Sequence, residues 1–203
     1  MPGRLFLERK MEEIGDWIGR AGAPTQAPRR NIQPGQDLVV LTNGGWRSMR
    51  WGLIPVGRVN ARGRPVMETI INARSETVFD KSAFDGVRRG VVVVDGWYEW
   101  TGKRRKKVAW RIAPTDGAPL IFAAVWDVWR APGGRELAQV ATVTCAPNKD
   151  VEAIHHRMGV LLTRKDAGTW LEGEDAESKA LCVPWPEGRL GIERAGDVDW
   201  SAA

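Results

Sequence analysis

Val91-Val-Val-Val-Asp-Gly-Trp-Tyr-Glu-Trp100 joins an apolar run to a lone carboxylate among rings. Four consecutive β-branched residues, Val91 to Val94, spell a strand buried on both faces. Asp95-Gly96 bends the chain, and Trp97, Tyr98 and Trp100 then enclose Glu99. A carboxylate set among aromatic rings loses hydration, which raises its pKa and prepares it for proton transfer. The plainer alternative makes the three rings core packing and turns Glu99 to water.

On either side of this stretch the chain reads as many short strands broken by turns. Leu7 to Arg20 carries apolar residues at helical spacing and ends at Gly19 and Gly22. Residues 21–35 read as a loop. Leu38 to Leu41 and Trp46 to Trp51 form a hairpin about Asn43-Gly44-Gly45. Residues 56–69 read as an exposed loop, Thr69 to Asn72 as a short strand, and Val78 to Val87 as a short helix. Lys103 to Lys107 is a basic turn. Strands follow at Val108 to Ile112, Leu120 to Trp129 and Leu137 to Cys145, the last two joined by Pro132-Gly133-Gly134. Pro147 to Ile154 reads as a short helix, Val160 to Leu162 as apolar chain, and Thr163 caps a helix near 165–172. Leu181 to Val183 reads as an edge strand. The sum is a single α+β domain, an antiparallel barrel-like β-sheet flanked by a few helices. Its main body is residues 1–172; residues 173–203 form an extension packed on or trailing from it.

Composition narrows the partners. The 203 residues carry a net charge of +5, with 11 Trp against one Tyr and four Phe. Cations suit phosphates and flat rings suit splayed bases, so single-stranded or distorted nucleic acid is the expected partner. Two cysteines make no disulfide framework. No signal peptide opens the sequence and no apolar run is long enough to span a membrane, so a cytoplasmic location is expected. Two adjacent His without spaced Cys or a third His argue against a metal. No cofactor is expected, and the protein is expected to be a monomer.

Five blocks occur in order: Trp51-Gly-Leu-Ile-Pro55, Asn72-Ala-Arg-Ser-Glu-Thr77, Asp95-Gly-Trp-Tyr-Glu-Trp100, Ala123-Ala-Val-Trp126 and Ile154-His-His-Arg-Met158. Together they resemble the SRAP family, the SOS response-associated peptidase proteins, over roughly residues 1–172. The resemblance implies binding of single-stranded DNA or DNA junctions at abasic sites. It also implies a crosslink made by an N-terminal Cys, whose amine and thiol close a thiazolidine on the sugar aldehyde. By motif, Asn72, Glu99 and His155 assist, and Arg4, Arg74 and Arg157 hold phosphates. Thr144, before the His block, is a further phosphate or sugar contact.

The sequence departs from that pattern at residue 2, where Pro2 replaces Cys. Without a thiol no thiazolidine closes. Removal of Met1 before a small residue would leave Pro2 as a secondary amine, which converts an aldehyde to an iminium ion. That cation acidifies the adjacent carbon and permits β-elimination of the 3′ phosphate, an abasic-site lyase reaction. Glu99 would then shuttle protons, His155 would open the sugar or act as base, and Asn72 would hold the terminus or sugar. His156 stands where the family has Asp, and in an extended chain it would face away from His155. Gly159 replaces a common Pro, and Val56-Gly57-Arg58 replaces an aromatic wedge. Two other readings stand beside the lyase: a non-covalent single-stranded-DNA-binding module, and a peptidase limited to freeing its own residue 2.

Overall fold

The structure is a computed structural model describing residues 2–55, 69–103, 106–131, 133–196 and 198–201. The expected loop at 56–69, except Thr69, and the wedge position at Val56-Gly57-Arg58 lie outside the described residues. So do Arg104 and Arg105 of the basic turn and Pro132 of the long hairpin.

The quoted stretch decides the architecture by changing sheets at its bend. Strand β6 (Arg88–Val94) pairs with β3 (Asp37–Thr42) on one edge and β9 (Leu120–Arg130) on the other. With both edges and both faces covered, Val91 to Val94 are at most 2% exposed. Each fully buried Val contributes on the order of 1.5 kcal/mol. After Asp95 the chain continues as β7 (Gly96–Thr101) in a different sheet. Gly96 is required at the bend, because a Cβ there would lie 2.2 Å from the Ile112 carbonyl oxygen. Asp95 anchors it: its carboxylate accepts from the Glu8 N–H at 2.6 Å and pairs with Arg9 Nε at 2.5 Å.

The larger sheet forms the barrel. Strand β10 (Glu136–Cys145) pairs with β9 along one edge and with β4 (Gly45–Trp51) along the other, so β10, β4, β3, β6 and β9 close a circuit. Two of its pairings are parallel, β10 with β4 and β10 with β5 (Asn72–Arg74). Short strands β11 (Met158–Gly159) and β12 (Leu161–Leu162) extend it. The second sheet runs β13 (Leu190–Arg194), β8 (Val108–Pro114), β7, β1 (Arg4–Leu7) and β2 (Arg29–Ile32). Helices α1 (Met11–Ile18), α2 (Lys149–Glu152), α3 (Arg164–Glu172) and α4 (Asp175–Ala180) surround the sheets. Thr163 caps α3 as the sequence predicts, accepting from the Asp166 N–H. Trp170 fixes α3 to the barrel by donating to the carbonyls of Gly90 and Ala124.

Four expectations are corrected. The predicted helix from Leu7 begins only at Met11, because Leu5, Phe6 and Leu7 are buried in β1 between two neighbouring strands. Within the supposed loop 21–35 lies β2. Residues 78–87 form turns and one 3₁₀ turn at Ser82–Phe84, with Val78 and Phe84 buried from separate turns. Leu181 to Val183 makes no strand: Val183 is exposed and Pro184 and Pro186 supply no N–H for a ladder. The tail's strand is β13, paired along β8.

Candidate active site

Strand β1 lies next to β7, with Arg4 opposite Tyr98 and Leu5 opposite Trp97. This brings the start of the chain beside Glu99. Pro2 is buried, and its carbonyl accepts a hydrogen bond from Asn72 Nδ2 at 2.8 Å. Asn72 opens β5, in register with Thr142 of β10. The buried Thr142 hydroxyl donates to Asn72 Oδ1 at 2.6 Å. That bond fixes the amide, since an oxygen facing Thr142 leaves the NH₂ facing Pro2.

Glu99 is 4% exposed. Burial raises its pKa above the ordinary carboxylate value, against the lowering effects of the charge at the amino terminus and of Trp97. Strand alternation puts Trp97 on the Glu99 side of β7 and Tyr98 and Trp100 on the other. The expected three-ring enclosure is therefore corrected. Tyr98 and Trp100 pack with Trp200 at ring separations of 5.0 and 5.2 Å, and Tyr98 also meets Phe6.

His155 follows α2, its N–H bonded to the Val151 carbonyl. Its Nδ1 accepts from the Arg157 N–H at 3.0 Å, which leaves the proton of the neutral ring on Nε2. Burial first, then the charges of the amino terminus and His156, pushes its pKa down to about 4. Both Glu99 and His155 thus sense the amino-terminal charge, and Asn72 binds residue 2. Of the four residues assigned to catalysis, Asn72 and Pro2 are in direct contact, and Glu99 and His155 are linked to them through the amino-terminal charge. His155 and His156 do not face opposite ways; the segment turns, and the two rings stack at 4.3 Å.

The assigned phosphate contacts divide. Arg74 is exposed at the end of β5. Arg4 shares the Tyr98 face, away from Glu99, where it donates to Asn31 Oδ1 at 2.6 Å and lies over Trp200. Thr144 is fully buried, donating to the Ala73 carbonyl. Arg157 is largely buried, its guanidinium paired with Glu76 and donating to the Thr144 carbonyl. It clamps the Glu76 turn to β10, and Glu76 is held at a pKa of about 2 by that pair. Sequence reasoning missed Thr142 and Glu76. The signal for Thr142 was its place two residues before Thr144 on one face of a strand. Among the described residues no three His, Cys, Asp or Glu converge as metal ligands. Cys145 and Cys182 are unbridged, and burial pushes the Cys145 thiol up to about 12.

The profile of the family described as "SOS response associated peptidase (SRAP)" matches residues 1–196. The chain belongs to the SRAP family. Similar proteins include the abasic site processing protein YoaM of Bacillus subtilis, 32% identical over 169 residues, which span 78% of this chain and 73% of that protein. Another, YoqW of the same organism, is 31% identical over 162 residues, 76% of this chain and 71% of that one. The abasic site processing protein HMCES of Mus musculus is 29% identical over 177 residues, 68% of this chain but only 48% of its own length. Solved structures from Bacteroides thetaiotaomicron (TM-score 0.82, 20% identity, covering 96% of this chain and 92% of that one) and Bordetella bronchiseptica (0.80, 23%, 96% and 99%) share the fold. Within this SRAP chain the Gly159 departure has a packing reason: a Cβ there would lie 2.2 Å from Phe122 Cε1.

Proposed function

We propose that this SRAP chain processes abasic sites in single-stranded DNA or at DNA junctions through the nitrogen of Pro2. The observation that carries the reading is the Asn72 hydrogen bond to residue 2, made where Glu99 and His155 both feel the amino-terminal charge. Relatives named as abasic site processing proteins supply the substrate class.

Removal of Met1 frees the Pro2 nitrogen. Its lone pair attacks C1′ of the open-chain sugar; the amine proton passes to the Glu99 carboxylate and the aldehyde oxygen takes a proton from solvent. Glu99 returns its proton to the new hydroxyl, water leaves, and the nitrogen lone pair forms the iminium ion. A raised carboxyl pKa suits this two-way transfer near neutral pH. His155, neutral with its proton on Nε2, donates a hydrogen bond to the sugar oxygen. Asn72 holds the backbone of residue 2 so that the nitrogen faces the sugar. Glu99 then removes a C2′ proton, the C2′–C3′ double bond forms, and the 3′ phosphate departs with the C3′–O electron pair. Water hydrolyses the iminium and restores the amine.

The test begins with mass spectrometry showing Pro2 at the terminus. The protein is then incubated with a single-stranded oligonucleotide bearing one abasic site, with and without borohydride. The expected result is a borohydride-dependent crosslink on Pro2, and strand cleavage when borohydride is omitted. DNA binding without an adduct would overturn the covalent reading and leave a non-covalent binder.

A further inference from the structure

We propose that the cleft walled by Arg47, Arg88 and Trp126 is a second anion site, taking a phosphodiester of the DNA strand beyond the lesion. The inference rests on the reading above in that its ligand is DNA. The cleft encloses about 620 Å³ beside the β3–β4 turn at Asn43-Gly44. On its wall the Arg88 guanidinium lies 3.5 Å from the centroid of the Trp126 ring, and that of Arg47 lies 5.2 Å away.

Trp126 is buried, and its indole N–H is committed to the Arg89 carbonyl at 3.1 Å. The ring is therefore no platform for a stacked base. It is a fixed surface that holds two guanidinium planes. Arg89 differs from its neighbour: it pairs with Asp175 at 2.6 Å and donates to the Gly173 carbonyl. Arg47 and Arg88 are exposed, and among the described residues neither forms an ion pair. The lining carries three arginines against two aspartates, Asp85 and Asp175, so a positive surplus remains. Two guanidinium charges held near one ring favour an anion in the cleft beside them. Planar guanidinium forks match phosphate oxygens in geometry.

The segment that follows β5 contributes to the cleft wall. Residues 74–88 leave β5 at the exposed Arg74 and line the cleft through Val78, Phe79 and Phe84. The net charge of +5 favours a polyanion over a small phosphate compound.

The test compares the wild-type protein with the double variant Arg47→Gln/Arg88→Gln. Both positions are exposed, and an unchanged melting temperature checks the fold. Fluorescence anisotropy with a lesion-free single-stranded oligonucleotide is measured across salt concentrations. Loss of two phosphate contacts lowers the slope of log K against log salt by about 1.4 and weakens binding about tenfold near physiological salt. A strand of only a few nucleotides about the lesion, too short to reach the cleft, is expected to bind both proteins alike. Equal slopes on the long strand would overturn the proposal, as would absence of salt-dependent binding by the wild type. Calorimetric binding of inorganic pyrophosphate that needs both arginines, with the DNA slope unchanged, would assign the cleft to small phosphates and overturn it as well. Because the long strand carries no lesion, failure of borohydride trapping leaves the salt-slope result readable, and a lost salt effect leaves the trapping result intact.

Discussion

Three bonded groups, Thr142, Asn72 and Pro2, order the candidate site. The Thr142 hydroxyl gives Asn72 its amide orientation, and the amide gives residue 2 its place. Thr142→Val keeps the shape but leaves Oδ1 without its donor, a cost of about 1–3 kcal/mol for a buried acceptor. Borohydride trapping is expected to slow about tenfold, with Thr142→Ser restoring most of the rate; an unchanged rate in Thr142→Val would remove Thr142 from the argument. Glu99 gives the pH dependence. Its folded-state pKa is raised, so between the ordinary carboxylate value and the raised one the native state binds more protons than the unfolded state. While His155, lowered from 6.5 to about 4, contributes a rise in stability with pH between those two values, the Glu99 contribution falls as pH rises through its own window. Trapping shows the opposite trend, since the carboxylate is the base, and its rate rises through the same window. His155, at about 4, stays neutral there and adds no limb near pH 6.5. Glu99→Gln is therefore expected to raise the melting temperature at neutral pH while abolishing both trapping and the rising limb. A variant that loses stability at neutral pH contradicts this account.

The strands around β9 show why a local departure from the family pattern is tolerated. β11 meets the end of β10 at Cys145 and Met158, and the Phe122 ring of β9 occupies the space a side chain at Gly159 would need. Gly159→Ala forces that ring to move, and overpacking of this kind costs about 1–3 kcal/mol. Urea denaturation is expected to report that loss, and adding Phe122→Leu is expected to recover part of it. If the single variant matches wild type, the β9–β11 contact is looser than its geometry implies. Elements of this kind were partly legible in the sequence. The alternating or wholly apolar runs at 38–41, 46–51, 91–94, 120–129 and 137–145 mark the barrel strands that form. Strand β1 was not legible, because Leu5, Phe6 and Leu7 are covered on both faces and their run joins the helical spacing that follows. Strand β5 was legible only as a motif: three residues carry too little periodicity, and its parallel partner in β10 lies some seventy residues away.

How the two sheets meet governs what the sequence could reveal of the site. Glu99 was visible as a carboxylate among rings, but once residues 96–101 form a strand, alternation leaves only Trp97 on its side, so Tyr98 and Trp100 were misplaced. Arg4, Thr144 and Arg157 were visible as polar residues in motifs, yet partners distant in sequence decide their burial: Asn31, Ala73 and Glu76. The tail depends on long-range contacts in the same way. β13 pairs with β8 from Trp110 to Pro114, and Trp200 closes over Tyr98 and Trp100. Ending the chain after residue 172 removes both and leaves β8 as a bare edge carrying Val108, Trp110 and Ile112. Such an edge invites association with other chains. Ending it after residue 196 keeps β13 and removes the Trp200 contacts and the Asn31 bond to the Asp199 carbonyl, where each aromatic pair contributes about 0.5–1.5 kcal/mol. The shorter truncation is thus expected to lose about 2 kcal/mol in urea denaturation while staying monodisperse. The longer one is expected to lose several times that, or to aggregate in light scattering. If the chain ending at 172 keeps the full-length midpoint, the second sheet stands without β13, and residues 173–203 are an appendage to the domain.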